Sequence, residues 1–505
     1  MNRNRLTPVL AALLLAGCTV GPNFTPPNPG TPAAWNDPAA GAFAPQAPAA
    51  AITTAADPQP DWWTRFDDPE LTSLIARATA GNLDLKIAVQ RIVEARSDEV
   101  SAAAQGLPSL SGKASYTYQQ EALDEIKGQI GSALPVKLTA PPAAFGLYDG
   151  ALDASWELDL FGKVRRSVEM SKAETEAKIG DRDDSLVSLQ AEVAQTYAKL
   201  RAAQANLAAA HADIAAEKDL LSLTRDRTSH GLTSGLDVKN AQAQLANSEA
   251  EAPQYQQQIA TYLTSLAVLV GEAPGALDSE LSPVKPIPSL ARSTAPIGLP
   301  SSLARRRPDI RAAEARLHEQ TANVGVATAE LYPDITLTGE IGQQSQQLKN
   351  FAKSYNNFYS LSPSISLPIF QGGKLKAGVA QAKAQEVEAA LTYRKTVLSA
   401  LQDVENALAA YRTDQQRLQS LQAAADADQT AVDIALDRYK HGLTNYLDVL
   451  TPQNTLIQAQ QQLIQTQLAV TNDLVTLYKA LGGGWRSQSA SASGRSLNTG
   501  AGRGG

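Results

Sequence analysis

Cysteine is almost absent. The 505 residues hold one, Cys18, so neither a disulfide framework nor a thiolate metal cluster can be built. Methionine is as scarce, at Met1 and Met170, and the four histidines, His211, His230, His318 and His441, stand far apart in the chain. There is no His-Glu-x-x-His pair, no glycine-rich phosphate loop and no Gly-x-Ser-x-Gly elbow. These gaps argue against an enzyme, and no metal or other cofactor is expected. A net charge of −7 without a basic block removes nucleic acid from the list of partners. Apolar runs are short, and the one from Val9 to Leu15 cannot span a bilayer. Proline is missing between Lys163 and Thr228. That stretch of roughly 65 residues would make a helix near 100 Å long at about 1.5 Å per residue, deeper than any globular core.

What is present begins with an export signature. Arg3 and Arg5 precede the apolar run, and Leu15-Ala16-Gly17-Cys18 closes it with small residues. This resembles a bacterial lipobox, which makes residues 1–17 a signal peptide and Cys18 the acylated first residue of the mature chain. Thr19 follows, where an Asp would favour the inner membrane, so the resemblance implies outer-membrane lipid as the anchor's destination. Residues 18–61 are rich in Pro, Ala, Gly and Thr and should be extended. Residues 482–505 read as a disordered tail. Trp62, Trp63 and Phe66 open the folded part as a packing clamp.

The folded part is duplicated. His230-Gly231-Leu232-Thr233 with Leu236-Asp237-Val238 returns as His441-Gly442-Leu443-Thr444 with Leu447-Asp448-Val449, about 211 residues later. Before each turn an apolar residue recurs every seventh position, through Ile179, Leu186, Val193, Leu200, Leu207, Ile214 and Leu221 in one copy and Val397, Val404, Tyr411, Leu418 and Val432 in the other. The rule resumes after each turn, so each joins two heptad-patterned helices. The first repeat covers 62–290, with helices at 163–228 and 236–270. The second covers 300–481, with helices at 374–440 and 446–481. A plain antiparallel coiled coil would satisfy these segments alone.

Four further segments alternate with period two. Tyr148, Gly150, Leu152, Ala154, Trp156, Leu158 and Leu160 oppose Asp149, Asp153, Glu157 and Asp159 across a strand near 147–160. Strands near 109–119, 334–342 and 358–370 show the same split between an apolar and a wet face, and all four are long enough to cross a bilayer. No amphipathic helix is left over to cover such a sheet. Open edges are not viable in lipid, and four strands cannot close a barrel, so the chain must assemble. Three copies, giving twelve strands, are the economical closure.

These residues resemble the TolC-type outer-membrane efflux channels, and within them the NodT-family lipoproteins of resistance-nodulation-division (RND) efflux systems. The carriers are Leu15 to Pro22, Trp62-Trp63 with Asp68-Pro69-Glu70-Leu71, Arg306-Arg307-Pro308-Asp309-Ile310-Arg311, Tyr332-Pro333, Phe370-Gln371-Gly372-Gly373 and the two His-Gly-Leu-Thr turns. The resemblance implies an α+β membrane protein: a homotrimeric twelve-stranded β-barrel, four strands per chain, continuous with a long α-helical coiled-coil tunnel in the periplasm. It implies a passive exit channel for drugs or other small toxic compounds, served by a periplasmic adaptor and an inner-membrane RND pump. Gly231, Leu232, Thr233, Gly442, Leu443 and Thr444 would meet the adaptor. Asp237, Tyr439 and Asp448 would form the periplasmic gate, although Thr444 and Thr451 replace an arginine and a second aspartate of that pattern. Asp149, Asp153, Glu157 and Asp159 would line the barrel lumen. Two rivals share parts of this pattern, a type I secretion conduit and a structural periplasmic coiled-coil lipoprotein.

Overall fold

The computed structural model describes residues 19–33, 35, 53–54, 59–119, 145–289, 295–296 and 300–485. In chain order the elements are β1 (Thr53–Thr54), a 3-10 turn (Trp62–Phe66), α1 (Pro69–Gly81), α2 (Leu83–Ala104), β2 (Ser109–Gln119), β3 (Phe145–Leu158), α3 (Lys163–Ser229) and α4 (Gly235–Val270). They continue with α5 (Asp278–Leu281), β4 (Ala295–Pro296), α6 (Pro300–Arg306), α7 (Pro308–Ala329), β5 (Asp334–Ser345), β6 (Asn357–Ser366), α8 (Lys374–Lys440) and α9 (Leu447–Ala480). The duplication is visible in the lengths. α2 and α7 have 22 residues each, and α3 and α8 have 67 each.

The chain forms two compact units, and they are not the two repeats. One takes 93–176 from the first repeat and 315–391 from the second, together with 1–26, while the other takes 27–92, 177–314 and 392–505. Each unit therefore draws equivalent segments from both copies. In the second unit, α3 and α4 of one copy share a single core with α8 and α9 of the other.

The first unit carries the sheet, ordered β2-β3-β5-β6 and antiparallel throughout. The strand near 147–160 ends at Leu158. Beyond it the Asp159 carboxylate accepts from the backbone N–H groups of Val164 and Arg165, pulling the chain into the first turn of α3. The strand near 358–370 ends at Ser366, because its partner β5 begins opposite it at Asp334 and Pro368 cannot donate to a ladder. Pro363 sits inside β6, on the edge of the sheet, where strand prolines are tolerated.

The second unit holds the core. Trp62, 1% exposed, stacks on Tyr478 with ring centroids 5.3 Å apart, and the α1 side chains Leu71, Leu74 and Ile75 pack into the same cluster as Val193, Tyr197, Leu200, Leu266, Val404, Leu474 and Leu477. From Leu189 to Gln204 most of α3 is buried on several faces, not only along one seam. Alanine filler lets neighbouring helices approach closely there. Arg201 is buried among them with its charge met by Glu70, and its Nη1 donates to Gln204 Oε1 at 2.7 Å and to the Pro283 carbonyl at 2.7 Å.

The repeats tie off their returning helices in the same way. Asn82 Nδ2 donates to the Leu269 carbonyl near the end of α4, and Arg307 Nη1 donates to the Ala480 carbonyl at the end of α9. The folded chain runs past 481. Trp485 Nε1 donates to the Arg306 carbonyl at 2.9 Å, and Arg311 lies over its ring, so residues 482–485, expected in the tail, are part of the folded chain. Residues 486–505, the segment 1–18 and the hairpin loop 120–144 lie outside the described residues.

Candidate functional site

The sheet separates two chemistries. On one face, the register brings Leu152 beside Ile341 and Tyr359, and Leu158 beside Ile335 and Ile365. These are large apolar groups left open to the surroundings, with Tyr359 at 86% and Ile365 at 71% exposure. On the other face, Ser111, Asp153, Glu340 and Ser360 align in one row, and Ser115, Asp149 and Gln344 in another. Polar groups on one face and exposed apolar groups on the other make the arrangement a strand takes between lipid and a wet interior.

The acidity of that wet face is tempered. Lys113 Nζ lies 2.6 Å from Glu340 and 3.5 Å from Asp153, and Lys163 Nζ lies 3.5 Å from Glu157. Asp149, Asp153 and Glu157 share the face as their spacing implies, and Asp334 and Glu340 join it from β5. Asp159 does not belong with them, since it is past the strand and engaged at the start of α3. Lys113 falls on the wet face with Ser111, Ser115 and Thr117 as the alternation implies, but its pairing with acids of two different strands has no signal in the spacing.

The two turns are built alike, atom for atom. The Gly231 N–H donates to the Thr228 carbonyl and the Leu232 N–H to the Arg227 carbonyl, while Gly442 and Leu443 repeat this to Tyr439 and Arg438. This closes α3 and α8 in a Schellman motif with φ of 69° at Gly231 and 75° at Gly442. The next helix is opened by a reciprocal cap. Ser234 Oγ accepts from the Asp237 N–H and Asp237 Oδ2 accepts from the Ser234 N–H; Asn445 and Asp448 do the same. The hydroxyls of Thr233 and Thr444 donate to those same carboxylates. The Thr444 hydroxyl and the Asn445 N–H hold the Asp448 carboxyl below the usual carboxylate range. Leu232 and Leu443 project outward at 67% and 68% exposure.

Beneath the turns, Leu220, Leu221, Ala241, Ala435, Tyr439, Tyr446 and Val449 form a separate small core. Tyr439 is 1% exposed, its hydroxyl 3.2 Å from Thr224 Oγ1, and Arg227 lies 4.5 Å over its ring while donating to its carbonyl. Asp237 and Tyr439, both expected at the gate, are not bonded to each other among the described residues. Asp237 is committed to the cap of α4, and the Tyr439 hydroxyl meets Thr224 across the contact between α8 and α3.

Cys18 lies outside the described residues, but the residues after it are held. The Val20 N–H donates to the Phe161 carbonyl at 3.1 Å. Arg166, nearly buried, donates from Nε to the Val20 carbonyl and from Nη2 to Asn23 Oδ1 at 2.7 Å. Phe24 stacks on His318 at 4.4 Å, and His318 Nε2 is 2.9 Å from Glu169, which also pairs with Arg166. Gly21 and Gly325 meet so closely that a Cβ on Gly21 would come within 2.5 Å of the Gly325 Cα. This clasp carries no periodic signal in the sequence, since its members lie from about 140 to about 300 residues apart.

A membrane sheet with one greasy face, one polar face and two edge strands, joined to doubled heptad helices, defines an outer-membrane channel protein. The chain belongs to the outer membrane efflux protein family, whose model matches residues 74–272 and 299–483. It is 30% identical over 498 residues to the probable efflux pump outer membrane protein TtgC of Pseudomonas putida, covering 97% of this chain and 98% of that one. It is 32% identical over 484 residues to the solvent efflux pump outer membrane protein SrpC of the same species, covering 95% and 98%. The solved outer-membrane channel OprN shares 34% identity and superposes with a TM-score of 0.82 over 93% of this chain and all of that one. The protein is thus an efflux channel of TolC-type architecture in the outer membrane of a Gram-negative bacterium.

Proposed function

We propose that three copies close a twelve-stranded barrel, β6 of one protomer pairing with β2 of the next, and that the channel is the passive exit of a tripartite RND-type pump for drugs or other small toxic compounds. The observation that carries this is the exposed apolar face of the sheet, with unpaired edges at β2 and β6 among the described residues. An edge of unpaired N–H and C=O groups cannot rest in hydrocarbon, so another copy must satisfy it. The apolar face then meets lipid and the face of Asp149, Asp153 and Glu157 meets the lumen. Acylation of Cys18 adds a lipid anchor.

The turns are the contact for a periplasmic adaptor. Gly231-Leu232-Thr233 and Gly442-Leu443-Thr444 present an exposed leucine each on a rigid, fully hydrogen-bonded scaffold. Asp448, exposed at its turn, is repeated threefold around the aperture, while Asp237 is a folding residue and Tyr439 joins α8 to α3. Space is open around Gly442, so only its backbone conformation resists substitution. Gly442→Val forces a β-branched residue into the left-handed region. It should abolish drug efflux in a strain lacking the native channel while leaving heat-modifiable trimer in the outer membrane. Loss of the trimer would assign Gly442 to folding, and full efflux would remove the turn from the adaptor contact.

A further inference from the structure

The apolar face of the sheet is not level. Gly112 pairs with Leu152 and Ala114 with Gly150, so three neighbouring positions carry little or no side chain. The result is a depression of about 460 Å³, bounded by Leu152, Ile341, Phe351 and the polar Gln343, with Lys113 at its lining as well. One step nearer the hairpin loops, Tyr116 and Tyr148 pair with ring centroids 4.7 Å apart and raise the next rung of that face. Phe351 comes from the β5–β6 loop and leans over the floor, where a Cβ on Gly150 would stand 2.8 Å from its ring. That loop, 346–356, contains Lys349 and Lys353, both exposed, and no Asp or Glu. Lys353 Nζ is 5.7 Å from the centroid of Tyr355, itself 69% exposed.

An apolar slot beneath a loop that carries only positive charge matches a molecule with an alkyl chain and an anionic head. We propose that the depression seats an acyl chain of a phosphate-bearing lipid of the outer leaflet, whose phosphate is held by Lys349 and Lys353. The proposal rests on the reading that this face meets lipid. The small residues make room for the chain, and Phe351 covers it. Lysines close to a membrane surface attract anionic head groups, and two of them on one short loop give the site its selectivity for phosphate.

The full-length protein, purified from membranes in mild detergent, is offered a hexa-acylated glucosamine disaccharide bisphosphate or the same lipid stripped of phosphate. Retained lipid is counted by native mass spectrometry. Wild type should keep the phosphorylated lipid roughly tenfold better. The double variant Lys349→Gln, Lys353→Gln should lose that preference, and Ala114→Leu, which fills the slot, should retain less of either lipid. Equal retention of both lipids by wild type, a preference surviving in the lysine variant, or full retention by Ala114→Leu each overturns the site. Single-channel conductance of Ala114→Leu separates the two readings. It should match wild type; a reduced value would put this face in the lumen and withdraw the face assignment together with the site.

Discussion

Lys113 shows how much one residue alters the barrel. It lies between Glu340 and Asp153 on the face that we assign to the lumen, and a ring of fixed charge there would bias which ions pass. Lys113→Gln should raise cation selectivity at low salt, and Asp153→Asn should lower it, both read from reversal potentials in planar bilayers. The bias should shrink as salt screens it. Tyr439 is the corresponding residue at the turns. Tyr439→Phe removes a buried hydroxyl shared with Thr224 and should lower thermal stability by about 1 kcal/mol. Asp237→Ala removes a cap worth about 1 kcal/mol and should act the same way. With Asp237 capping its own helix, conductance should be unchanged in that variant; increased conductance would restore it to the gate.

Among the elements, α3 carries a pH response. Burial, then the nearby Glu217 and Glu251, pushes the Asp213 carboxyl up to about 6. Its folded value therefore lies above an unfolded value near ~3.9, and the folded state holds the extra proton. That contribution is whole below about pH 4 and is lost as pH rises through about 6. The melting temperature in detergent should fall between about pH 4 and pH 7, and Asp213→Asn should flatten the decline. Retention of the full slope in the variant would place the response elsewhere. The long helices were legible because a seven-residue repeat survives nine or ten turns of sequence, and the strands because side chains alternate. Their ends were harder. Leu160 continues the alternation, yet the carboxylate of Asp159 had already turned the chain toward α3. Leu367 and Ile369 do likewise past Ser366, where no partner strand remains.

For the whole molecule, the duplication was plain in the paired turns, but its copies are not the bodies that fold, because each unit needs equivalent pieces of both. The clasp around Arg166 and His318 was invisible for a related reason: it joins distant residues by single contacts without a period. Lipidation belongs to this scale as well. Cys18→Ser should leave an uncleaved or unacylated chain by mass spectrometry, with efflux reduced through loss of anchoring; a native chain with a free thiol at Cys18 would refute the anchor.

The clasp also sets a tether length. Val20 is bonded to Phe161, just past the end of β3, and Cys18 is two residues away. At no more than about 3.5 Å per residue, the backbone of Cys18, the residue proposed to be acylated, lies within roughly 7 Å of that point. A leash so short leaves no slack for a search across the membrane. With Cys18 acylated as proposed, it would act as a depth stop, setting the height at which the foot of the barrel sits against the inner leaflet.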